Sequence, residues 1–391
     1  MTRETRTGTS VSAIPTPLRL RISSEASIFA VGAAILLALA LSACEPAQGA
    51  AGDAPGLQVD PHWPQTLPNN WIVGQVAGVA VDDRDHVWIV HRPRSVNPVM
   101  AGAAQDPPIS ACCIPAPPVI EFDRDGNVVQ AWGGPGEGYE WSDEEHGIHV
   151  DHQGNVWVGG GLGGNHVLKF SRDGQFLLQL GEKENLGGSN DTRLLGGPAA
   201  MEVDPETNEL FIADGYRNRR VVVFDAETGE YLRHWGAYGN VPADGTTPAR
   251  DYARSPDAQF RGPVHGIALS RDGLVYVTDR QANRVQIFTR DGEFVDEFFI
   301  RPETLSMGST WDLALSPDPE QRWIYVPDGT NHTLWIVDRQ TLEVVEQVGT
   351  GGRMAGQFDW VHNVAVDSRG NVYTSEVSDG HRVQRFVPGG R

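Results

Sequence analysis

Cysteine is nearly absent from this chain, with three residues in 391. Cys44 stands alone and Cys112 and Cys113 are adjacent, so neither a zinc-ribbon spacing nor a multi-disulfide framework can be drawn. No stretch of the body repeats its apolar residues at helical spacing. The longest apolar run, Ile28 to Ala43, is too short for a comfortable membrane span. Positive charge is scarce as well: 31 Lys and Arg stand against 51 Asp and Glu, a formal net charge of −20. Such an acidic surface argues against nucleic acid and anionic membranes as partners, and suits a cationic or neutral substrate.

The first 43 residues pattern as an export signal. Arg3, Arg6, Arg19 and Arg21 precede the apolar run, which ends in Leu41-Ser42-Ala43-Cys44. That ending resembles the bacterial lipobox, which implies removal of residues 1–43, lipidation of Cys44 and an exported chain held at the cell envelope by its lipid alone. The alternative is an uncleaved anchor or an ordinary secretory signal. Residues 44–56, rich in Ala, Gly and Pro, read as a flexible tether. Cys112-Cys113 is open to three readings, a vicinal disulfide, two free thiols or a loop contact, and carries no catalytic role.

What the chain does have is a repeat. Copies begin near Ala77 (AGVAVDDRDHVWIV), His146 (HGIHVDHQGNVWVG), Ala199 (AAMEVDPETNELFIA), His265 (HGIALSRDGLVYVT), Trp311 (WDLALSPDPEQRWIYV) and His362 (HNVAVDSRGNVYTS). Apolar residues alternate within each copy, as strands require, and turn signals recur at matching offsets, as in Asp123-Arg124-Asp125-Gly126 and Arg271-Asp272-Gly273. Each copy holds about four short strands that cannot bury both faces alone. The expected fold is therefore all-β, a six-bladed β-propeller over residues 57–391. The sixth copy stops one strand short, and Asn70-Trp71-Ile72-Val73-Gly74 has the character to supply it, closing the ring from both termini. A Pro-rich excursion from Arg92 to Pro117 interrupts the first copy and is expected to overhang one end of the channel.

Histidine opens the second, fourth and sixth copies at one register position. In a six-fold ring those copies lie about 120° apart, so His146, His265 and His362 would converge on the axis. The chain has only 12 histidines, which makes three in register on alternate blades a poor match to chance. Three imidazoles with open positions suit a metal, zinc first, and each must be neutral to bind it. Arg92, Tyr216 and Arg280 share a second register position, just past the second strand of copies one, three and four. A tyrosine among arginines beside a metal would have a lowered phenol pKa and could act as a base. The plainer reading is that the arginines pair with Asp214 or Asp279 to stiffen the rim.

The copies resemble NHL repeats. Several stretches are similar to the peptidyl-α-hydroxyglycine α-amidating lyase family: Gly74 to Asp82, His91-Arg92, His146-Gly147-Ile148, Asp214-Gly215-Tyr216 with Asn218, Val264-His265 through Asp279-Arg280, and Phe358 through His362. The resemblance runs in order across nearly the whole propeller. It implies a carbon–nitrogen lyase that cleaves a C-terminal α-hydroxyglycine to an amide and glyoxylate, with zinc on His146, His265 and His362. It further implies Tyr216 as base, Arg92 as the residue that binds the substrate carboxylate and supports the tyrosinate, and Arg280 as an accessory contact. A structural calcium would rest on the backbone carbonyls of Val79 and Ile148 and on the residue after the last histidine. Here that residue is Asn363, without the family's charge, and Arg217 stands where the family has a cysteine. The chain contains no monooxygenase domain, so a separate one would have to supply hydroxyglycine. The expected substrate is a small molecule or peptide and the expected state a monomer.

Two other functions compete. One is a non-catalytic, membrane-tethered propeller that binds a protein or glycan, its axial metal structural. The other is a metal-dependent hydrolase such as a lactonase, which in such propellers uses Glu, Asn and Asp around calcium. The histidines rank it last.

Overall fold

The computed structural model describes residues 54–245 and 257–389. They build six four-stranded antiparallel sheets. The first blade comprises Gln75–Val81, Val87–Arg92, Val119–Phe122 and Val128–Trp132; the second, His146–Val150, Val156–Gly159, His166–Phe170 and Phe176–Gly181. The third runs from Pro198–Val203 through Glu209–Asp214 and Arg220–Asp225 to Tyr231–Trp235, and the fourth from Val264–Leu269 through Leu274–Asp279 and Arg284–Thr289 to Phe294–Phe299. Ala314–Leu315, Trp323–Asp328, Thr333–Asp338 and Glu343–Val348 make the fifth. The six-bladed β-propeller read from the repeat is the observed fold.

The sixth blade has three strands from the C-terminus, Val361–Val366, Val372–Glu376 and Arg382–Pro388, and its fourth from the N-terminus. That strand is Leu57–Asp60, paired antiparallel with Pro388 to Arg385, rather than the expected Asn70–Gly74. The correction has a local cause. Trp71–Ile72 is drawn instead into a parallel pair with Ile114–Pro115 of the Pro-rich excursion, which also contains the Cys112–Cys113 disulfide. The expected lipidation site Cys44, the expected export signal and most of the expected tether lie outside the described residues.

Each inner strand ends in a turn dictated by its motif. In the second blade Asp151 accepts the backbone N–H of Gln153 and Asn155 through Oδ1, while its Oδ2 takes the Trp157 indole N–H at 2.9 Å. Asp82 does the same with Arg84, His86 and Trp88. One carboxylate thus fixes the turn and pins the aromatic six residues on. Six buried apolar clusters fill the seams between successive blades, such as Phe211, Trp235, Val275 and Phe288 between the third and fourth. With every seam packed, the innermost strands are held around a common axis.

Candidate metal centre and its mouth

The innermost strands slip register at the motif position. Ala77, Ala199 and His362 are each an extra residue against their neighbouring strand, and comparable slips fall at His146–Ile148 and Val264–Ile267. A bulge bends a strand and re-aims a side chain. At the second blade it needs Gly147, whose φ of +63° is in the left-handed region. A Cβ there would also lie 2.4 Å from the Ala199 carbonyl oxygen.

That carbonyl is the partner of His146, whose Nδ1–H donates to it at 2.8 Å. His265 Nδ1 donates likewise to the Trp311 carbonyl, and His362 Nδ1 to Asn363 Oδ1 and the Ala77 carbonyl. The three register positions that lack histidine therefore present the carbonyls that orient it, each from the next blade round the ring. Fixing Nδ1–H in this way leaves Nε2 as the free lone pair. The three rings stand 4.7–5.0 Å apart by centroid, and one nitrogen of each lies within 4.8 Å of the others. All three are buried. Burial and neighbouring positive charge hold their pKa values down, His362 to about 3 and the other two well below the usual value. Three neutral, converging, pre-oriented imidazoles fit a metal ion such as zinc.

Tyr216 stands over them. Its Oη lies 2.7 Å from His146 Nε2 and 3.0 Å from His265 Nε2. The chain's own groups act on its phenol pKa in both directions. Desolvation raises it, although Arg280 and Arg92 pull the other way. The two arginines, equivalent in sequence, differ in their engagement. Arg92 donates to the Glu145 carbonyl at 2.9 Å and to Gln75 Oε1 at 2.8 Å, and pairs with Glu144 at 3.1 Å. Arg280 is 2% exposed, stacks 4.3 Å from the Trp311 ring centre and hydrogen-bonds the Tyr216 phenol. Among the described residues no carboxylate pairs with it, and its Nε has no partner. Asp214 and Asp279, the carboxylates expected to stiffen the rim, are matched instead by Arg220 at 2.8 Å and Arg284 at 2.9 Å. Arg280 is left for something else.

Calcium fares differently. Val79, Ile148 and Asn363 line an axial cavity of about 250 Å³ beneath the histidines. Asn363, however, gives its amide oxygen to His362 and its amide N–H to Asp312 Oδ2 at 3.0 Å. The Asn363 side-chain oxygen is thus turned to His362, and the carboxylate at this level, Asp312 of the fifth copy, already accepts from Asn363 and from the Val364 N–H. These residues do not fit the expected calcium site. Asp312, Trp311 as an aromatic wall, Gln75 and Glu144 were not picked out as site residues from sequence. Only Trp311 carried a signal, through its register position.

Residues 264–288, in the fourth blade, match the NHL repeat family. The chain is 28% identical over 262 residues to peptidyl-glycine alpha-amidating monooxygenase B of Xenopus laevis, covering 62% of this chain and 26% of that protein. It thus spans about a quarter of the frog protein's length. It is 26% identical over 353 residues to peptidyl-alpha-hydroxyglycine alpha-amidating lyase 1 of Drosophila melanogaster, covering 83% of this chain and 58% of the fly protein. A third similarity, 26% over 292 residues, is to human NHL repeat-containing protein 3, covering 70% and 73%. The protein is a six-bladed propeller with one segment that matches the NHL repeat, and proteins named for amidating-lyase chemistry are among those it is similar to.

Proposed function

We propose that the axial site belongs to a zinc-dependent lyase, which cleaves the carbon–nitrogen bond of an α-hydroxyglycine-type substrate to an amide and glyoxylate. The observation that carries this reading is the joint geometry of Tyr216, bridging two imidazoles, and Arg280, a buried guanidinium with no carboxylate of its own. His146, His265 and His362 would hold the ion. When bound, it would polarise the substrate hydroxyl and join the arginines in favouring the tyrosinate. Arg280 receives the substrate carboxylate, the role the family resemblance gave to Arg92, because Arg92 is already engaged by Glu144, Gln75 and the Glu145 carbonyl. Tyr216 Oη takes the hydroxyl proton. The hydroxyl oxygen then forms the C=O of glyoxylate as the carbon–nitrogen bond breaks, and the same proton is returned to the departing amide nitrogen.

The sequence adds export, lipidation at Cys44 and action as a monomer on a small molecule or peptide, with a separate monooxygenase as the source of hydroxyglycine. No helix among the described residues is long and apolar enough to cross a membrane. The similarity to NHL repeat-containing protein 3 is of the same order as that to the fly lyase, and the second reading is a binding propeller with a structural metal. The test is glyoxylate release from a peptide ending in α-hydroxyglycine, using zinc-loaded protein and its Tyr216→Phe variant. Release by the wild type alone supports the lyase. No release from folded, zinc-loaded wild type would leave the binding propeller.

A further inference from the structure

A groove of about 360 Å³ opens beside Tyr216 on the mouth of the propeller. Among the described residues its lining includes four arginines, Arg217, Arg219, Arg261 and Arg280, and no Asp or Glu. This is the reverse of the chain as a whole, where acidic residues outnumber basic ones 51 to 31. Two of the four are held close by: Arg261 pairs with Asp257 at 3.1 Å and Arg219 donates to the Gly245 carbonyl. The other two have no carboxylate within ion-pair distance among the described residues. Arg280 forms the buried floor with its Nε unpartnered, and Arg217 is exposed on the rim, with a 3.3 Å hydrogen bond to the Leu162 carbonyl. Leu162 and Met307, 46% and 37% exposed, add apolar surface to the same groove.

We propose that this groove is a specificity subsite for an acidic side chain carried next to the reacting end of a peptide substrate, with Arg217 as the residue that selects it. The assignment rests on the lyase reading only for the identity of the reacting end. Arg280 at the floor is within reach of Tyr216 and serves the terminal carboxylate. Arg217 follows Tyr216 directly, and its guanidinium reaches the carbonyl of Leu162, another residue of the groove's lining. A second anion lying on Leu162 and Met307 would meet a guanidinium in partly desolvated surroundings, where a charge-assisted hydrogen bond is stronger than in open water. A neutral side chain would leave Arg217 as it is now, hydrated and bonded to one carbonyl. Discrimination then comes from a gained contact rather than a clash, so it is modest and screened by salt.

The test uses the unreactive peptides N-acetyl-Glu-Gly and N-acetyl-Gln-Gly, titrated calorimetrically into the zinc-loaded full-length protein and its Arg217→Gln variant. The expected result is about fivefold tighter binding of the Glu peptide to wild type, an effect sized for a partly exposed ion pair. The preference should vanish in Arg217→Gln, with affinity for the Gln peptide unchanged, and shrink as salt is raised. Equal affinities in wild type, no binding of either peptide, or a preference that survives Arg217→Gln would each overturn the proposal. The corresponding α-hydroxyglycine peptides form a second arm. If neither is turned over while the Glu preference in binding persists, the lyase reading falls and the groove stands.

Discussion

The two ends of the propeller axis are lined by the same innermost strands and differ completely in chemistry. At the strand starts stand three neutral imidazoles, a tyrosine and two arginines. Further along the same strands, the cavity is walled by Val81, Leu269, Leu315 and Val366 with Glu202 and Asp312 as its carboxylates. Burial pushes Glu202 up to about 8 and Asp312 up to about 7. One end thus gathers positive charge that needs an anion, and the other gathers acids whose ionisation burial disfavours. A six-fold scaffold does not impose this polarity. It comes from which residue each copy places at the first, second and fourth positions of its inner strand and at the end of its second strand.

The largest effect expected at the histidine end is that of His265→Ala. Removing one of three ligands should abolish stoichiometric zinc, measured by metal analysis, and lower glyoxylate release by at least about 10³-fold. Tyr216→Phe separates chemistry from metal holding. It should cost roughly 10²–10⁴ in kcat, as for loss of a general base, with zinc content intact. Full activity in Tyr216→Phe would remove the base assignment. Arg280→Gln should raise KM for the hydroxyglycine substrate about tenfold or more, through loss of a charge-assisted contact. A larger KM effect from Arg92→Gln than from Arg280→Gln would reverse the division of labour drawn between the two arginines.

The smallest effect belongs to the carboxylate end, where Glu202→Gln should alter the pH dependence of stability. A carboxyl raised to about 8 when folded, against about 4.5 in the unfolded chain, binds more protons folded than unfolded between those values. Its contribution is fully present below pH 4.5 and is lost as pH rises through 8. The variant should therefore match wild type near pH 5 and melt about 2 °C higher near pH 8.5. A constant difference across that range would show that Glu202 does not titrate in this window. The side chain is partly open to the axial cavity, which keeps the expected shift small.

Much of this was legible in the residues. Alternation, turn signals and the six-fold repeat led to the propeller, and the in-register histidines led to the axis. The carbonyls that orient those histidines were not legible, because a backbone oxygen has no signature in sequence. Ala77, Ala199 and Trp311 were visible only as positions without histidine, though they supply the hydrogen bonds that hold it. The closing strand was misplaced because Leu57–Asp60 is four residues long and directly abuts the tether composition. Trp71–Ile72, with the stronger strand character, was claimed by a partner 43 residues later whose pairing no local pattern marks. Tyr216 was read from the arginines and the metal expected beside it, whereas the burial that raises its phenol pKa is a tertiary effect with no sequence mark.

The closing strand has a consequence for how the protein matures. His362 is carried by the one blade that is assembled from both ends of the chain. Until Leu57–Asp60 finds Arg385–Pro388, that blade has an open outer edge, at the opposite side of the sheet from the strand that carries the third imidazole. These are contacts of nearly the greatest possible sequence separation, and such contacts form late because so much chain entropy must be lost before they can. Zinc should then bind as the last event of folding rather than as a template for it. The rate of zinc uptake on refolding would report the moment at which the ring shuts.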